Sequence, residues 1–184
     1  MKPFSILAFL FCFHLGFCQF TRETTIDVFG NIVNTITHPD SNVFYQKTMD
    51  GVYNNLVSEG RLTPNNKKNG WWRFYHQNGN LKSIGFYHKN LENGYFENFH
   101  ENGEIESFGY YQEGQKIGWW EFFDEQNNIE KRGHYVNGIE HGYWHFFNEG
   151  IIYKEGFYTF GNPVNTWRFY NEKGELTRVE GFLD

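Results

Sequence analysis

Side chains able to do chemistry are plentiful in this chain, but their spacing does not bring them together. His76, His88 and His100 recur every 12 residues, and His141 and His145 stand four apart across Gly142. A zinc or iron site needs ligands that converge on one point, and no histidine–carboxylate spacing recurs. Glu92, Glu97, Glu101, Glu104, Glu106 and Glu113 crowd one stretch. A pair of such carboxylates could cleave a glycoside. They fall instead at turns and variable strand positions, where charge keeps a sheet soluble and discourages edge pairing. Asp124-Glu125 lacks the spaced oxygen ligands of a calcium loop. Beyond residue 18 serine occurs only at 41, 58, 83 and 107, and none sits in a Gly-x-Ser-x-Gly elbow. No glycine-rich phosphate loop is present. The expectation is a protein without catalytic residues, cofactor or metal.

The elements that carry these residues repeat. Gly70, Gly94, Gly118 and Gly142 each open an aromatic block at a spacing of 24. The blocks read Gly-Trp-Trp-Arg-Phe-Tyr, Gly-Tyr-Phe-Glu-Asn-Phe, Gly-Trp-Trp-Glu-Phe-Phe and Gly-Tyr-Trp-His-Phe-Phe. A fifth, Asn165-Thr166-Trp167-Arg168-Phe169-Tyr170, follows after 23 residues with asparagine in the glycine's place. A fixed period of this length marks a stacked repeat architecture. Each unit reads as strand, turn, strand, turn, which predicts an all-β fold of antiparallel hairpins. The first turn falls at Gln77-Asn78-Gly79, Glu101-Asn102-Gly103, Gln126-Asn127-Asn128, Asn148-Glu149-Gly150 and Glu172-Lys173-Gly174. Asn-Gly predicts a tight hairpin in which both residues take positive φ. A looser turn is expected at Asn90, Gly114, Gly138 and Gly161. The second strand carries Gly-x-Tyr at Gly85, Gly109, Gly133 and Gly156.

Alternation sorts the strand residues onto two faces. One parity holds Trp72, Phe96, Trp120, Trp144 and Trp167, followed by Phe74, Asn98, Phe122, Phe146 and Phe169; it predicts the core. A glycine inside the neighbouring strand has no side chain to keep a large ring from lying across it. The opposite parity holds Trp71, Tyr95, Trp119 and Tyr143 beside the variable Arg73, Glu97, Glu121 and His145. That row is the candidate interaction surface, and packing of rings on both faces is the competing explanation.

The succession Gly-Trp-Trp-Arg-Phe-Tyr, Asn-Gly-Asn-Leu, Gly-Phe-Tyr and a polar turn resembles the bacterial variant of the MORN (membrane occupation and recognition nexus) repeat. The resemblance covers about residues 70–184, with starts near 70, 94, 118, 142 and 165. It implies an elongated, twisted single sheet of consecutive hairpins. It also implies a scaffold for partners, since some bacterial relatives carry an antitoxin label and eukaryotic ones are linked to membranes or scaffolds.

Residues 19–69 fit the period poorly and are expected to cap the array, with a degenerate unit at Phe44-Tyr45 and Asp50-Gly51; a separate domain is the alternative. Within that stretch, 24–29 and 32–37 suggest strands about Gly30-Asn31, and His38-Pro39-Asp40 suggests a turn. Residues 1–18 have the pattern of an export signal: Lys2, an apolar run from Phe4 to Leu15, then Gly16-Phe17-Cys18. Cleavage there leaves no cysteine, hence no disulfide or thiolate chemistry; lipidation at Cys18 is the alternative. The expected location is the periplasm, the outer envelope or the exterior. The formal charge is −6, and −7 without Lys2, which argues against nucleic acid as a partner. A protein partner is expected, in an antitoxin- or immunity-like role among others, with an envelope glycan or lipid as the alternative ligand.

Overall fold

The computed structural model describes residues 5–6, 21–38 and 43–182. Every pairing of strands is antiparallel, and among the described residues there is no helix. The strands fall into two compact units, Met1–Leu91 and Glu92–Asp184. The first contains β1 (Ser5–Ile6), β2 (Thr21–Ile26), β3 (Ile32–His38), β4 (Val43–Met49), β5 (Leu56–Leu62), β6 (Lys68–Tyr75) and β7 (Leu81–His88). Each of these is hydrogen-bonded to the next. β8 (Leu91–Phe99) starts at the boundary. β9 (Ile105–Gln112), β10 (Gln115–Phe123), β11 (Ile129–Val136), β12 (Ile139–Asn148), β13 (Ile151–Thr159), β14 (Asn162–Tyr170) and β15 (Leu176–Phe182) follow in the same order within the second unit.

The expected strands about Gly30-Asn31 are present, with the first ending at Ile26 rather than Phe29 because the turn begins earlier. Asp27 Oδ1 accepts from the backbone N–H groups of Phe29 and Asn31, both at 2.9 Å. The degenerate unit is the hairpin of β4 and β5. Residues 21–62 therefore continue the same meander and pack with the first aromatic hairpin, β6 and β7, in one unit. Of residues 1–18 only Ser5–Ile6 is described, opposite Thr25 and Thr24. The segment around Cys18 and the turn expected at His38-Pro39-Asp40 lie outside the described residues.

One local arrangement recurs through both units. Trp72, Trp120, Trp144 and Trp167 are 2% exposed or less, and Phe96 holds the same position at 4%. Each tryptophan ring lies across a glycine of the preceding strand: Gly60, Gly109, Gly133 and Gly156 in turn. A Cβ built on Gly133 would stand 2.2 Å from the Trp144 ring, so no other residue fits beneath it. Gly60 extends the glycine series one unit upstream of the repeats visible by period. On the other side Trp72, Phe96, Trp120 and Trp144 face Gly85, Gly109, Gly133 and Gly156 across the ladder. Tyrosines of the Gly-x-Tyr element complete the packing edge-on: Tyr111 to Trp120 and Tyr135 to Trp144, both 5.1 Å between centroids, and Tyr158 to Trp167, 4.9 Å. Such ring pairs contribute about 0.5–1.5 kcal/mol each beyond the area they bury.

The opening glycine of each block makes this geometry possible. Ile117 pairs with Tyr110 and Glu121 with Phe108, so residues 118–120 stand opposite Gly109 alone. Beside the bulge, the Trp120 indole N–H donates to the Tyr110 carbonyl at 3.1 Å. Trp72, Trp144 and Trp167 donate in the same way to Arg61, His134 and Phe157. Such a bulge needs a left-handed residue; φ is +81° at Gly142 and +58° at Asn165. Asparagine tolerates that region better than other non-glycine residues, which explains why it substitutes for glycine in the fifth block.

The two kinds of turn are the reverse of the sequence expectation. At Asn78-Gly79 only the glycine has positive φ, while the asparagine side chain accepts from Asn80 N–H at 2.9 Å. Consecutive positive φ values, the mark of the two-residue I′ turn, occur at Lys89-Asn90, Glu113-Gly114, Asn137-Gly138 and Phe160-Gly161, the turns expected to be loose. The shortened turn of the fourth block, Glu149-Gly150, is also of this kind, with Asn148 opposite Ile151.

Gly133→Ala should lower the stability of the second unit by about 1–3 kcal/mol, the usual range for overpacking, read as a drop in urea midpoint. Gly181→Ala, with nothing within 4 Å of its added Cβ, should change stability by no more than about 0.5 kcal/mol.

Candidate functional site

The bulge that sinks each tryptophan lifts the residue before it onto the opposite face. Trp71 is 50% exposed and Trp119 39%, beside neighbours that are fully buried. Tyr95 and Tyr143, at the same position, are half-buried. Each ring rests edge-on or tilted against the residue directly across the ladder. The pairs are Trp71–Phe86 at 5.9 Å, Tyr95–Tyr110 at 5.4 Å, Trp119–His134 at 5.6 Å and Tyr143–Phe157 at 4.8 Å. Phe86, Tyr110, His134 and Phe157 were missed by sequence reasoning. They are the middle residue of Gly-x-Tyr, and the signal was there: the position is a ring in four successive units.

In the first unit this face is organised by one carboxylate. Glu59 accepts hydrogen bonds from the Tyr45 and Tyr75 hydroxyls, both at 2.9 Å, and lies 3.2 Å from Lys47 Nζ and 3.9 Å from Arg73 Nη1. Burial opposes the charge on Glu59, but the hydrogen bonds from the two phenols and Lys47 outweigh it and hold the carboxyl below its ordinary value. The phenols respond in the opposite sense. Burial, then the hydrogen bond to Glu59, pushes Tyr45 and Tyr75 up to about 12.

In the second unit the variable positions form a continuous cross-strand row. Glu97 faces Phe108, Phe108 faces Glu121, and Arg132, His145, Glu155 and Arg168 follow strand by strand. Tyr95 donates to Glu97 at 2.9 Å and the Trp119 indole N–H to Glu121 at 3.1 Å. Glu155 accepts from Tyr170 at 2.6 Å and lies 3.6 Å from His145 Nε2. Burial, reinforced by Arg132, lowers the His145 pKa despite Glu155, so the imidazole is neutral near pH 7. Glu97, Glu121 and His145 thus lie in one ladder in the second unit, flanked by Tyr95, Trp119 and Tyr143. Trp71 and Arg73 occupy the equivalent positions in the first.

His100, His88 and His141 make separate local contacts. His100 Nε2 lies 2.9 Å from the Phe123 carbonyl, His88 Nδ1 3.1 Å from Asn69 Oδ1, and His141 packs on Phe160. Among the described residues no three His, Cys, Asp or Glu side chains converge as metal ligands. Glu106, Asp124, Glu125 and Glu130 line an open depression with His100. Chemically, the aromatic–charged face of each unit offers rings, hydrogen-bond donors and carboxylates. No family model matches the chain, and no curated protein is significantly similar to it.

In an ultraviolet titration of tyrosinate, Tyr45, Tyr75, Tyr95 and Tyr170 should ionise near 12. Glu59→Gln should return Tyr45 and Tyr75 toward the ordinary 10. At the acid end, a depressed carboxylate stabilises the fold above its ordinary 4.5, and that contribution is lost as pH falls through its lowered value. The parent protein should therefore lose more melting temperature than Glu59→Gln on acidification below 4.5.

Proposed function

We propose that this chain is an exported, non-catalytic repeat scaffold of MORN-like type, which binds another protein through its aromatic–charged face. The observation that carries the reading is the half-exposed Trp71 and Trp119 beside fully buried tryptophans one residue on. Burying a ring is favourable, and this chain buries one at nearly every neighbouring site. Rings left open and braced by cross-strand contacts, with Trp119 also hydrogen-bonded to Glu121, lose little freedom when a partner covers them. Trp and Tyr are also the side chains most often found at interface hot spots.

A repeat sheet with a charged, ring-bearing face suits adapter work or the sequestering of a partner, and an antitoxin- or immunity-like role is one case of it. The leader directs the chain out of the cytoplasm on this reading, to the periplasm, the envelope or beyond. The second reading, an envelope module for glycan or lipid, rests on the same exposed rings, because a sugar ring or acyl chain also seeks an open aromatic face.

The test is capture of partners from the native host's envelope with the parent protein and with Trp71→Ala/Trp119→Ala. One stoichiometric protein partner, lost in the double variant while its melting temperature stays within a few degrees of the parent, is the expected result. Trp120→Ala, by contrast, should lose about 3–5 kcal/mol of stability. Binding of a purified soluble polysaccharide or of lipid vesicles that disappears in the double variant, with no protein partner, would replace the scaffold reading by the ligand module.

A further inference from the structure

The buried-tryptophan face carries a second pattern, cations lying over rings: Lys68 Nζ is 4.4 Å from the Phe74 centroid in the first unit, and in the second the pattern becomes a strand-by-strand ladder. Across β10 to β15 the ladder runs Phe122, Lys131, Phe146, Lys154, Phe169, Arg178, each directly opposite the next. Phenylalanine and cation alternate strand by strand. Lys131 Nζ lies 4.7 Å from the Phe122 centroid, Lys154 Nζ 4.2 Å from Phe146, and the Arg178 guanidinium 4.1 Å from Phe169. Lys116 joins them, 4.7 Å from the same Phe122 ring and 4.3 Å from Trp120. In the hairpin of β8 and β9 the equivalent ladder residues are Asn98 and Ser107, hydrogen-bonded to each other. In the first unit Ser58 and Ser83 flank Phe74.

These cations are short of counter-charge. Arg178 pairs with Glu180 at 2.9 Å, but among the described residues no carboxylate lies within 4 Å of the Lys116, Lys131 or Lys154 ammonium. Burial, then the charge of Lys131, lowers the pKa of Lys154; the same two causes lower that of Lys116, with Glu106 and Glu140 opposing at longer range. Two ammonium groups over one phenylalanine ring, in a chain of net charge −6, form a local positive strip that an anion would relieve.

We propose that the Lys116–Lys131–Lys154 strip binds an acidic, extended segment of the partner protein. This rests on the protein-scaffold reading and names the chemistry of the segment. Two features select a peptide. The rings below are sealed by the ammonium groups, with Trp120 and Trp144 fully buried, so no aromatic face is open for a sugar to stack on. The ladder cations also recur every second strand, about 9.6 Å apart at ordinary strand spacing. A polyproline II chain returns to the same side every three residues, about 9.3 Å. A segment with Asp or Glu at every third position therefore sets one carboxylate over Lys131 and the next over Lys154, with Lys116 beside the first across the Phe122 ring.

The test is fluorescence anisotropy of a labelled peptide of four Glu-Pro-Pro repeats with the full chain at low ionic strength. The expected result is saturable binding that weakens with salt and is reduced at least about tenfold in Lys131→Gln/Lys154→Gln. Lys131→Arg/Lys154→Arg, which keeps charge and ring contact, should retain it, and Lys173→Gln, away from the ladder, should leave it unchanged. No binding to the parent protein, or equal binding to the Gln variant, overturns the proposal. So does binding of heparin or anionic vesicles but not of the peptide. A partner captured equally by the parent and the Gln variant, yet lost in Trp71→Ala/Trp119→Ala, would overturn the strip and leave the scaffold reading standing.

Discussion

Everything else in this fold depends on an indole ring lying across a backbone that has no side chain. A sheet with a single layer has no second layer to bury its residues, so its core must come from within the sheet itself. Here the rings of Trp72, Trp120, Trp144 and Trp167 each cover a glycine of the preceding strand, and the first three face another glycine on the following one. The indole N–H then donates to a backbone carbonyl of that preceding strand. A buried indole without an acceptor, or a carbonyl without a donor, would cost about 1–3 kcal/mol. One hydrogen bond answers both. The glycines, the left-handed bulge residue and the buried ring are one device, and in the block where Phe96 replaces the tryptophan it forms without the indole hydrogen bond.

The same device separates the chemistry of the two faces. Because the bulge places residues 118–120 opposite Gly109 alone, Trp120 goes down and Trp119 goes out. Adjacent tryptophans in one chain therefore have opposite fates, 0% and 39% exposed. The outward face gathers rings, carboxylates and phenols into hydrogen-bonded clusters around Glu59 and Glu155. The inward face is closed by lysines, whose stems cover the rings while the ammonium groups lie over them. The two faces thus differ in chemistry: open rings with hydrogen-bond donors on one, ammonium groups over rings on the other.

The period of 24, the aromatic parity and the strand glycines are visible in the chain because each follows from local geometry. Alternation decides which ring is buried, and only glycine can lie under an indole. Those features determined the all-β hairpin fold and the buried tryptophan row without reference to any coordinates. Register was not legible, because it depends on hydrogen bonds between strands. Asn78-Gly79 resembles a two-residue turn in sequence, but the bulge near Tyr75 makes the loop longer, and the I′ geometry moves to Asn137-Gly138 and its equivalents. Register also decided which side chains meet: Trp119 with His134, Glu155 with His145, and Lys131 between Phe122 and Phe146. Lys131, Lys154 and Arg178 look like ordinary surface charges in the sequence, since nothing local shows that the ladder seats each opposite a ring. The sequence by itself determined which residues are core; only pairing between strands decided what the remaining ones face.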